Sequence, residues 1–464
     1  MTKNASKIIV KAFGCRLNAA ETAKLEIVAA RAGLSDAVIF NTCAVTSEAE
    51  RQAKQAIRKA ARANPKRAIY VVGCGADRDP KGFAELPGVV KVIGNKEKFN
   101  PKKYNDEVPG RPAFGAVAGD DIIVDRLPDY LSKGFVQIQT GCDYACTFCI
   151  VHTLRGRSRS FPYAAISEQT RRLVSSSYAE IVLTGVDIAG YKFGSPSATN
   201  SQQWTPAVAG VTGGEGLVYL VKRLLADVPD LRRLRLSSLD PAKDWEPLMD
   251  LMAADSRVLP HLHLSMQSGS DEILRMMGRR HRAEDLTGLA KYNRLPPCGG
   301  VGEGTEPVRG QCRLNRPPTA SPFGLCDSPT RGEFSVSFSV DIICGFPGET
   351  DERFAETIAV LEKLRPIKIH AFPFSARDGT PAATFPNQVP KSTAKERVRR
   401  LGELESKFLG EFMKSQIGKK TQVLMERGKV GRTPDDIPVL FDAENGEIVE
   451  VVLTGIKNGV FLTK

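Results

Sequence analysis

The sequence predicts an α/β protein with three parts: an N-terminal parallel sheet, a central partial barrel of six βα repeats, and a small C-terminal β-barrel. Three observations predict this fold. Short β-branched runs alternate with helical patterns before residue 100, six more strand patterns alternate with helical patterns from Gly134 onward, and residues 416–464 contain short strand patterns alone. A chain of 464 residues also suits about three domains, at roughly 150 residues each.

The predicted domain boundaries follow these changes of pattern. A stretch rich in Pro, Gly and Asp separates the first two parts, and a charged helical pattern connects the last two. The predicted units are an N-terminal domain at 1–110, a linker at 111–132, the barrel at 133–390, a connecting helix at 391–415 and the C-terminal β-barrel at 416–464.

A tract at residues 295–336 interrupts the barrel pattern. It is rich in Pro, Gly and Ser and has too little periodic apolar surface to offset its ordering entropy, so we expect a disordered insertion. Its cysteines, Cys298, Cys312 and Cys326, recur at equal intervals that match no metal motif. Because loop-closure entropy grows slowly with length, the insertion need not unfold the barrel, although it could obstruct substrate access.

In the N-terminal domain a cysteine follows each predicted strand. The strands are KIIVKAF, AVIF and RAIYVVG, and the cysteines are Cys15, Cys43 and Cys74. Because the carboxyl ends of parallel strands meet at one edge of a sheet, we expect these distant thiols to converge there. Three buried small hydrophobic residues are the alternative.

The later strands are assigned from the same alternation. The six barrel strands are FVQIQ, EIVLTG, RRLRLSS, HLHLSM, SVDIICGF and IKIHAFPF, and the final strands are TQVLME, PVLF, IVEVVLTG and GVFLTK. In a βα barrel the functional site lies at the carboxyl ends of the strands. The loop after FVQIQ is therefore a candidate site.

Composition limits the class of protein. Hydrophobic residues make up 42% and charged residues 25% of the chain, as in ordinary globular proteins. No apolar run approaches the roughly 18 residues that cross a bilayer, and the N-terminus lacks a signal peptide's apolar stretch, so we expect a cytoplasmic protein without a membrane partner. In a reducing compartment the ten cysteines indicate metal or redox chemistry rather than disulfides.

The net charge of +12 indicates a polyanionic partner. Residues 1–110 contain 20 Lys and Arg against 11 Asp and Glu, whereas residues 416–464 contain seven of each. The basic runs at 58–67 and 278–282 could bind phosphates, and a solvated helix face is the alternative for the first of them.

Three cysteines, Cys142, Cys146 and Cys149, form a C-x3-C-x2-C motif directly after the first barrel strand. A zinc site normally has four protein ligands, and no second cysteine pair or nearby histidine completes one, apart from His152. Three thiolates suffice for a 4Fe-4S cluster that leaves one iron open, and Phe148 would shield such a cluster. Structural or redox-active thiols are the alternative.

This motif, in this place, resembles the radical S-adenosylmethionine enzymes. The resemblance implies that the open iron chelates S-adenosylmethionine, whose one-electron cleavage gives a 5'-deoxyadenosyl radical. The stretches FGCRLNAAET, NTCAVT and VVGC resemble the N-terminal domain of the methylthiotransferases within that group, and the C-terminal strands resemble a TRAM domain. The resemblance implies a second 4Fe-4S cluster on Cys15, Cys43 and Cys74, which supplies the sulfur.

The residues beside these cysteines resemble one branch of the methylthiotransferases. Glu21 and Thr22 stand where other branches carry an Asp-Ser pair, and the second motif continues as Ala44, Val45 and Thr46. Both features are similar to the branch that modifies N6-threonylcarbamoyladenosine in tRNA. The resemblance implies transfer of a methylthio group to C2 of that base at position 37, in the anticodon stem-loop, with a low-potential electron donor such as flavodoxin or ferredoxin and a sulfur donor.

Two other functions remain open. The substrate could be an aspartate of a ribosomal protein, or the chain could be a non-catalytic RNA-binding protein stabilised by a metal. Further residues that resemble cofactor contacts lie at strand ends or in the basic loop after the motif. They are Thr184, Gly185, Val186, Gln267, Ser268, Gly345, Arg155 and Arg159. A glycine there lets the backbone approach a cofactor closely, although a simple turn is the alternative; the arginines could hold a carboxylate or a phosphate, or lie in a solvated loop.

Overall fold

The computed structural model describes residues 8–105, 122–124, 127, 132–193, 214–242, 245–293, 335–426 and 428–463. The predicted insertion lies outside the described residues, apart from Ser335 and Val336, and its three cysteines lie outside them as well. The backbone N–H of Val336 donates to the carbonyl of Tyr292 at 2.7 Å. The chain therefore leaves the barrel and re-enters it at one place. None of the described helices is both long and apolar enough to span a bilayer.

The N-terminal part is a parallel sheet with helices. Its elements are β1 (Ile9–Ala12), α1 (Arg16–Arg31), β2 (Ala37–Thr42), α2 (Ser47–Ala63), β3 (Ala68–Gly73), α3 (Cys74–Arg78), α4 (Pro80–Ala84) and β4 (Val89–Ile93). The strands pair in chain order, β1-β2-β3-β4, all in parallel. Every residue of β2 is buried, as expected of an inner strand with both faces covered. The fourth strand was not predicted from the sequence.

The central part carries six parallel strands among the described residues. Its elements are β5 (Gly134–Gln137), β6 (Gln139–Thr140), α5 (Val151–Arg155), β7 (Arg159–Ser160), α6 (Tyr163–Ser175), β8 (Glu180–Thr184), α7 (Gly214–Asp227), β9 (Arg233–Leu236), α8 (Glu246–Ala254), β10 (His261–Gln267), α9 (Asp271–Met277), α10 (Ala283–Gly288), β11 (Ser337–Cys344), α11 (Asp351–Leu364) and β12 (Lys368–Pro373). Two sheets, β5-β8-β9 and β10-β11-β12, are joined by parallel bridges at Leu234–Val258 and Leu239–Leu264.

The C-terminal part is a long helix followed by a closed barrel. Its elements are α12 (Lys391–Gln416), β13 (Lys420–Met425), β14 (Val430–Arg432), β15 (Pro438–Leu440), β16 (Ile448–Lys457) and β17 (Val460–Thr463). The three residues of β14 were not predicted as a strand. The α/β class and the three-part architecture are confirmed.

Two polar contacts hold the C-terminal barrel against the central part. The C-terminal barrel covers the amino ends of the central strands, where Lys133 pairs with Asp436 at 2.6 Å and Ser337 donates to Asp435 at 2.7 Å. In the segment predicted as a linker, Ile122 and Val124 are buried in the core. The carboxyl ends of the central strands are thus left to face the N-terminal domain.

Candidate active site

Cys142, Cys146 and Cys149 lie on the loop between β6 and α5, beyond the carboxyl end of β5. The backbone N–H groups of Tyr144 and Val151 point at the Sγ atoms of Cys142 and Cys149, at 3.4 and 3.5 Å. Such donors stabilise thiolate ligands, because they face the negative charge that the sulfur carries when it binds a metal.

This cysteine loop is anchored by α9 and by the segment after β12. Thr147 donates its backbone N–H to the carbonyl of Met277 at 3.0 Å and its hydroxyl to that of Met276 at 2.9 Å. In return its carbonyl accepts the N–H of Ala382 at 2.9 Å. Phe148 packs in an apolar cluster that includes Met277. The cysteine loop is therefore fixed on two sides by hydrogen bonds to other parts of the chain.

Gln139 links the cysteine loop to the end of β8. Its amide nitrogen donates to the carbonyl of Gly141 at 2.7 Å, and its amide oxygen accepts the N–H groups of Val186 and Asp187, each at 2.9 Å. Gly141 has a φ of +73°, and a Cβ there would lie 2.0 Å from the carbonyl oxygen of Arg157. Sequence reasoning missed Gln139, since nothing marks a lone buried glutamine as the joint between two loops.

The three N-terminal cysteines lie at one edge of the parallel sheet. Cys15 is the N-cap of α1, Cys43 follows β2 and Cys74 begins α3. Asn95 donates to the Sγ of Cys74 at 3.1 Å, and the backbone N–H of Val45 donates to that of Cys43 at 3.4 Å. One thiol from each βα unit therefore lies at this edge of the sheet, as the sequence predicted.

The ionisation of these thiols differs between the two sets. The hydrogen bond between Cys15 and Cys43 lowers the pKa of Cys15 to about 6 and raises the pKa of Cys43 well above its usual value. Burial raises the pKa of Cys142 and of Cys149 to about 11. Since a thiol binds metal as the thiolate, metal loading must release protons from the latter pair at neutral pH.

The two sets of thiols are neighbours. Cys74 packs in a small apolar cluster with Ala44, Ile150 and Leu154, the last two of which follow the barrel cysteines. The candidate active site is the region between these two sets of cysteines.

A buried ion cluster joins the N-terminal domain to the barrel beside the thiols. The Nη1 of Arg155 donates to Glu21 at 2.9 Å and its Nη2 donates to Asn18 at 3.0 Å, while Lys98 donates to Glu21 at 2.6 Å. Arg155, suggested by the sequence as an anion contact, thus holds a carboxylate of the protein itself. Two cations against one carboxylate leave a positive charge that favours thiolates nearby.

The motif residues beside the cysteines have structural roles. Asn41 donates to the carboxylate of Glu21 at 3.1 Å. Thr42 donates to the carbonyl of Val72 at 2.7 Å and accepts the N–H of Ala76 at 3.1 Å. These bonds tie β2, β3 and α3 together, so the residues that suggested a family also hold Cys43 and Cys74 in place.

The predicted cofactor contacts at the strand ends have different environments. Thr184 is buried at the end of β8, and a Cβ on Gly185 would lie 2.9 Å from the carbonyl oxygen of Gln139. Gln267 has a φ of +66°, a strained backbone for a residue other than glycine. The hydroxyl of Ser268 is 3.2 Å from that of Thr357. The side chain of Ser268 is therefore part of the packing against α11.

The basic segments also differ in environment. The arginines and lysines at 58–67 are exposed or partly exposed along and beyond the end of α2. In the second run, Arg279 and Arg280 pair with Asp240 at 3.2 and 3.0 Å, and Arg279 lies 3.8 Å from the Sγ of Cys146. The predicted Arg159 lies over the ring of Phe161, 5.5 Å from its centre. The basic residues at 58–67 are therefore exposed to solvent, whereas the guanidinium of Arg279 lies beside Cys146.

The loop after β11 is held by a residue of α12. Gly345, with a φ of +77°, donates its N–H to the Oε2 of Glu349 at 2.5 Å. Arg397 donates to that oxygen at 2.7 Å, to the carbonyl of Glu349 at 2.9 Å and to Asp351 at 2.8 Å. Burial raises the pKa of Glu349, although Arg397 favours the carboxylate. Arg397 is therefore a positioning residue for the Gly345 loop.

The sequence predicts Gly345 as a contact of S-adenosylmethionine, so replacing Arg397 by Met should weaken the use of that cofactor, because the Gly345 loop would lose its support. We expect KM for S-adenosylmethionine to rise about tenfold or more, equivalent to about 1.4 kcal/mol, with tRNA affinity unchanged. The measurement is the rate of 5'-deoxyadenosine formation against S-adenosylmethionine concentration. Arg399→Met, in an exposed pair with Glu396, is the matched control. An unchanged KM for Arg397→Met would contradict the assigned role.

The groups beside the two sets of thiols suit an iron-sulfur group. Across the described ranges, no three His, Cys, Asp or Glu side chains are close enough to share one ion. In a 4Fe-4S cluster each thiolate binds a separate iron, so its ligands stand further apart than those of a single ion. Each set offers three thiols, with N–H donors or positive charge beside them. This donor chemistry suits two such clusters.

Two family models match the chain: uncharacterized protein family UPF0004 at residues 7–94, and the radical SAM superfamily at residues 136–294. Threonylcarbamoyladenosine tRNA methylthiotransferase MtaB of Rickettsia prowazekii is 37% identical over 452 residues, covering 96% of this chain and 94% of that relative. The protein of the same name from Chlamydia pneumoniae is 30% identical over 85% of this chain and 78% of its own length. A tRNA-2-methylthio-N(6)-dimethylallyladenosine synthase from Paenarthrobacter aurescens is 29% identical over 90% of this chain and 74% of its own length.

Proposed function

The chain belongs to the threonylcarbamoyladenosine tRNA methylthiotransferase family, and we propose that it adds a methylthio group to C2 of N6-threonylcarbamoyladenosine at position 37 of tRNA. As a radical SAM protein it uses S-adenosylmethionine and a 4Fe-4S cluster. The finer proposal is that Cys142, Cys146 and Cys149 hold this cluster, and that a second 4Fe-4S cluster is held by the three N-terminal cysteines, Cys15, Cys43 and Cys74.

The observation that carries this proposal is the adjacency of the two sets of thiols. Cys74 packs against Ile150 and Leu154, directly after the barrel cysteines. The barrel cluster with S-adenosylmethionine would supply the radical that removes hydrogen from C2. The other cluster would supply the sulfur, and a second S-adenosylmethionine would supply its methyl group. A reaction that needs both groups at one carbon requires them to share one chamber.

The chain's own residues would orient the components. Gln139 and Arg397 hold the loops around Gly185 and Gly345, where S-adenosylmethionine would bind with Thr184, Val186 and Gln267 as further contacts. Arg155 keeps the N-terminal domain against the barrel and places positive charge beside the thiolates. We assign Arg155 this positioning role, since its guanidinium is already bonded to Glu21.

The partners follow from the reaction. The tRNA would present its anticodon stem-loop, and the exposed basic residues at 58–67 are the candidate contacts for its phosphates. A reducing protein such as flavodoxin or ferredoxin would supply the electron, and a separate sulfur donor would replenish what each turnover consumes. Such partners would act in the cytoplasm.

The experiment that tests the function is anaerobic reconstitution with iron and sulfide, followed by S-adenosylmethionine and dithionite. We expect about eight irons per chain, the content of two 4Fe-4S clusters, together with 5'-deoxyadenosine. Three substrates are compared: stem-loops with N6-threonylcarbamoyladenosine or dimethylallyladenosine at position 37, and a ribosomal-protein peptide with an aspartate. The methylthio product should appear on the first substrate.

Each other outcome points to a different protein. Methylthioaspartate in the peptide would favour the ribosomal-protein activity, and product on the dimethylallyl stem-loop would assign the other tRNA branch. Tight tRNA binding with zinc, or with iron but no 5'-deoxyadenosine, would indicate a non-catalytic RNA-binding protein.

A further inference from the structure

One segment of the chain contacts the loops that carry both sets of cysteines. It comprises residues 374–385, between β12 and α12, and is here called the bridging segment. At its start, the N–H of Phe374 donates at 2.7 Å to the carbonyl of Cys344, the last residue of β11. The bridging segment therefore begins at the carboxyl ends of the barrel strands, at the edge where the thiols lie.

On the barrel side, the bridging segment holds the cysteine loop. The N–H of Ala382 donates at 2.9 Å to the carbonyl of Thr147, the residue after the second cysteine of the motif. Phe374 packs on Phe346 with the ring centres 5.4 Å apart, in an apolar cluster that also contains Ala382 and Phe148. The barrel cysteines are thus fixed to this segment by a backbone hydrogen bond and by apolar packing.

On the N-terminal side, the bridging segment holds the loop that follows Cys43. Arg377 donates from its Nη2 to the carbonyl of Val45 at 3.2 Å, and the N–H of Val45 faces the Sγ of Cys43 at 3.4 Å. The hydroxyls of Ser375 and Ser47 are 3.1 Å apart. Arg377 therefore fixes the residue whose backbone donates to this thiol.

The side chain of Arg377 is buried, with 5% of the residue exposed. Its Nε is buried as well and has no hydrogen-bond partner among the described residues. Burying a guanidinium costs free energy that its remaining hydrogen bonds and contacts must offset. The bond from Arg377 to Val45 is therefore part of a packed contact between the two domains rather than a surface contact.

The part of the bridging segment between these two contacts is a short turn with bonds of its own. The N–H and the hydroxyl of Thr380 both donate to the carbonyl of Arg377, at 3.0 and 2.7 Å. Only five positions separate Arg377 from Ala382, and these bonds keep that short stretch folded. The bridging segment therefore acts as a spacer of fixed length between the loop after Cys43 and the cysteine loop of the barrel.

We propose that the bridging segment sets the spacing between the two clusters, and that Arg377 is the positioning residue that couples radical formation to methylthio transfer. This inference rests on the proposed function, in which the barrel set makes the radical and the N-terminal set holds the sulfur. Both must then reach the same carbon of the substrate. A misplacement of about 1 Å in such an arrangement can cost on the order of 100-fold in rate.

Arg155 and Arg377 attach the N-terminal domain at different elements. Arg155 binds Glu21 and Asn18 on α1, whereas Arg377 binds the loop after β2. Two separate attachments prevent the domain from pivoting about either one of them. Loss of Arg377 alone should therefore change the orientation of the N-terminal thiols without separating the domains.

Replacing Arg377 by Met should uncouple the two halves of the reaction. Methionine keeps an apolar side chain in the buried site and removes the donor to Val45. We expect the methylthio product formed per 5'-deoxyadenosine to fall roughly 10- to 100-fold. Iron content and the rate of 5'-deoxyadenosine formation should be retained, because the barrel cysteines keep their own contacts. Arg232→Met, at an exposed position before β9, is the matched control and should leave the ratio unchanged.

Amide hydrogen exchange on the same samples gives a readout that does not depend on turnover. The amides of residues 45–49 should exchange faster in Arg377→Met than in the wild type, because their loop has lost an attachment. The amides of residues 142–149 should exchange at the wild-type rate, and Arg232→Met should match the wild type at both places. Unchanged exchange at 45–49 would mean that Arg377 does not hold this loop, and would overturn the inference.

A second variant changes the spacing and leaves both contact residues in place. Two glycines inserted between Asp378 and Gly379, both exposed, lengthen the turn of the bridging segment. Exposed turn tips tolerate insertions, so iron content and 5'-deoxyadenosine formation should be retained while the methylthio ratio falls. The same insertion between Asn458 and Gly459, in the exposed turn between β16 and β17, is the control. This variant decides the question if Arg377→Met loses its iron.

Two results separate failure of this inference from failure of the proposed function. If the wild-type protein makes methylthio product and the lengthened bridging segment keeps the wild-type ratio of that product to 5'-deoxyadenosine, the inference is overturned alone. If the wild-type protein forms 5'-deoxyadenosine but no methylthio product on the modified stem-loop, the proposed function itself is overturned.

Discussion

Replacing Cys146 by Ala should abolish 5'-deoxyadenosine formation, whereas replacing Cys43 by Ala should preserve it and stop methylthio transfer. Cys146 belongs to the set proposed to activate S-adenosylmethionine, and two thiolates cannot keep the ligand count of that cluster. Cys43 belongs to the set proposed to supply sulfur. Each variant should retain about four irons, the content of one 4Fe-4S cluster. The measurements are iron content, 5'-deoxyadenosine and methylthio nucleoside on one sample.

Cys344→Ala is the matched control for both variants. Cys344 is buried at the end of β11, outside both thiol sets, so its loss should leave iron content and both products unchanged. Methylthio product from either test variant would refute the division of roles. Loss of all iron in Cys43→Ala would instead show that the two sets do not load independently, which also contradicts the proposal.

The positions of the six site cysteines could be predicted because each one follows a strand. β-branched runs mark the strands, and in a parallel sheet the sequence position after a strand fixes a place at one edge. Cys15 and Cys74 could therefore be brought together across 59 positions of sequence. The adjacency of the two sets could not be predicted, because it depends on how α3 and α5 pack.

The sequence pattern could not predict which side chains contact one another. The sequence left Arg155 as either a contact for an anion or part of a solvated loop, and its partner in the structure is Glu21, 134 positions earlier. The polarity of the inner face of the central sheet had a signal in the strands, because HLHLS and SFSVD alternate polar with apolar residues.

The elements missed in the sequence were short. β4, five residues long, and β14, three residues long, give too little periodicity to separate them from loops. Pairing with neighbouring strands stabilises them more than any pattern of their own, since a short strand gains its hydrogen bonds from the strands beside it.

Replacing Glu21 by Gln should destabilise the protein by on the order of 3–5 kcal/mol, the cost of leaving a buried charge without its partner. Glu21 is 1% exposed and accepts hydrogen bonds from Lys98 and Arg155. Glutamine keeps the shape and loses the negative charge, so two buried cations would repel each other across the contact between the domains. The measurement is the free energy of unfolding in urea at pH 7, on protein without iron. Glu48→Gln, in an exposed pair with Arg51, is the control and should leave that free energy unchanged.

The pH dependence of the same variant gives an independent check. Burial alone would raise the pKa of Glu21, but the charges and hydrogen bonds of Arg155 and Lys98 lower it to about 2, against an ordinary value of 4.5. A carboxyl whose pKa is lowered by folding adds stability that is complete above about pH 4.5 and is lost as the pH falls toward 2. The difference in stability between wild type and Glu21→Gln should therefore be constant from pH 7 to pH 5 and shrink below pH 4.5. A difference that instead shrinks between pH 7 and pH 5 would mean that Glu21 is not held as a carboxylate by its two cations, and that the domains are joined by packing alone.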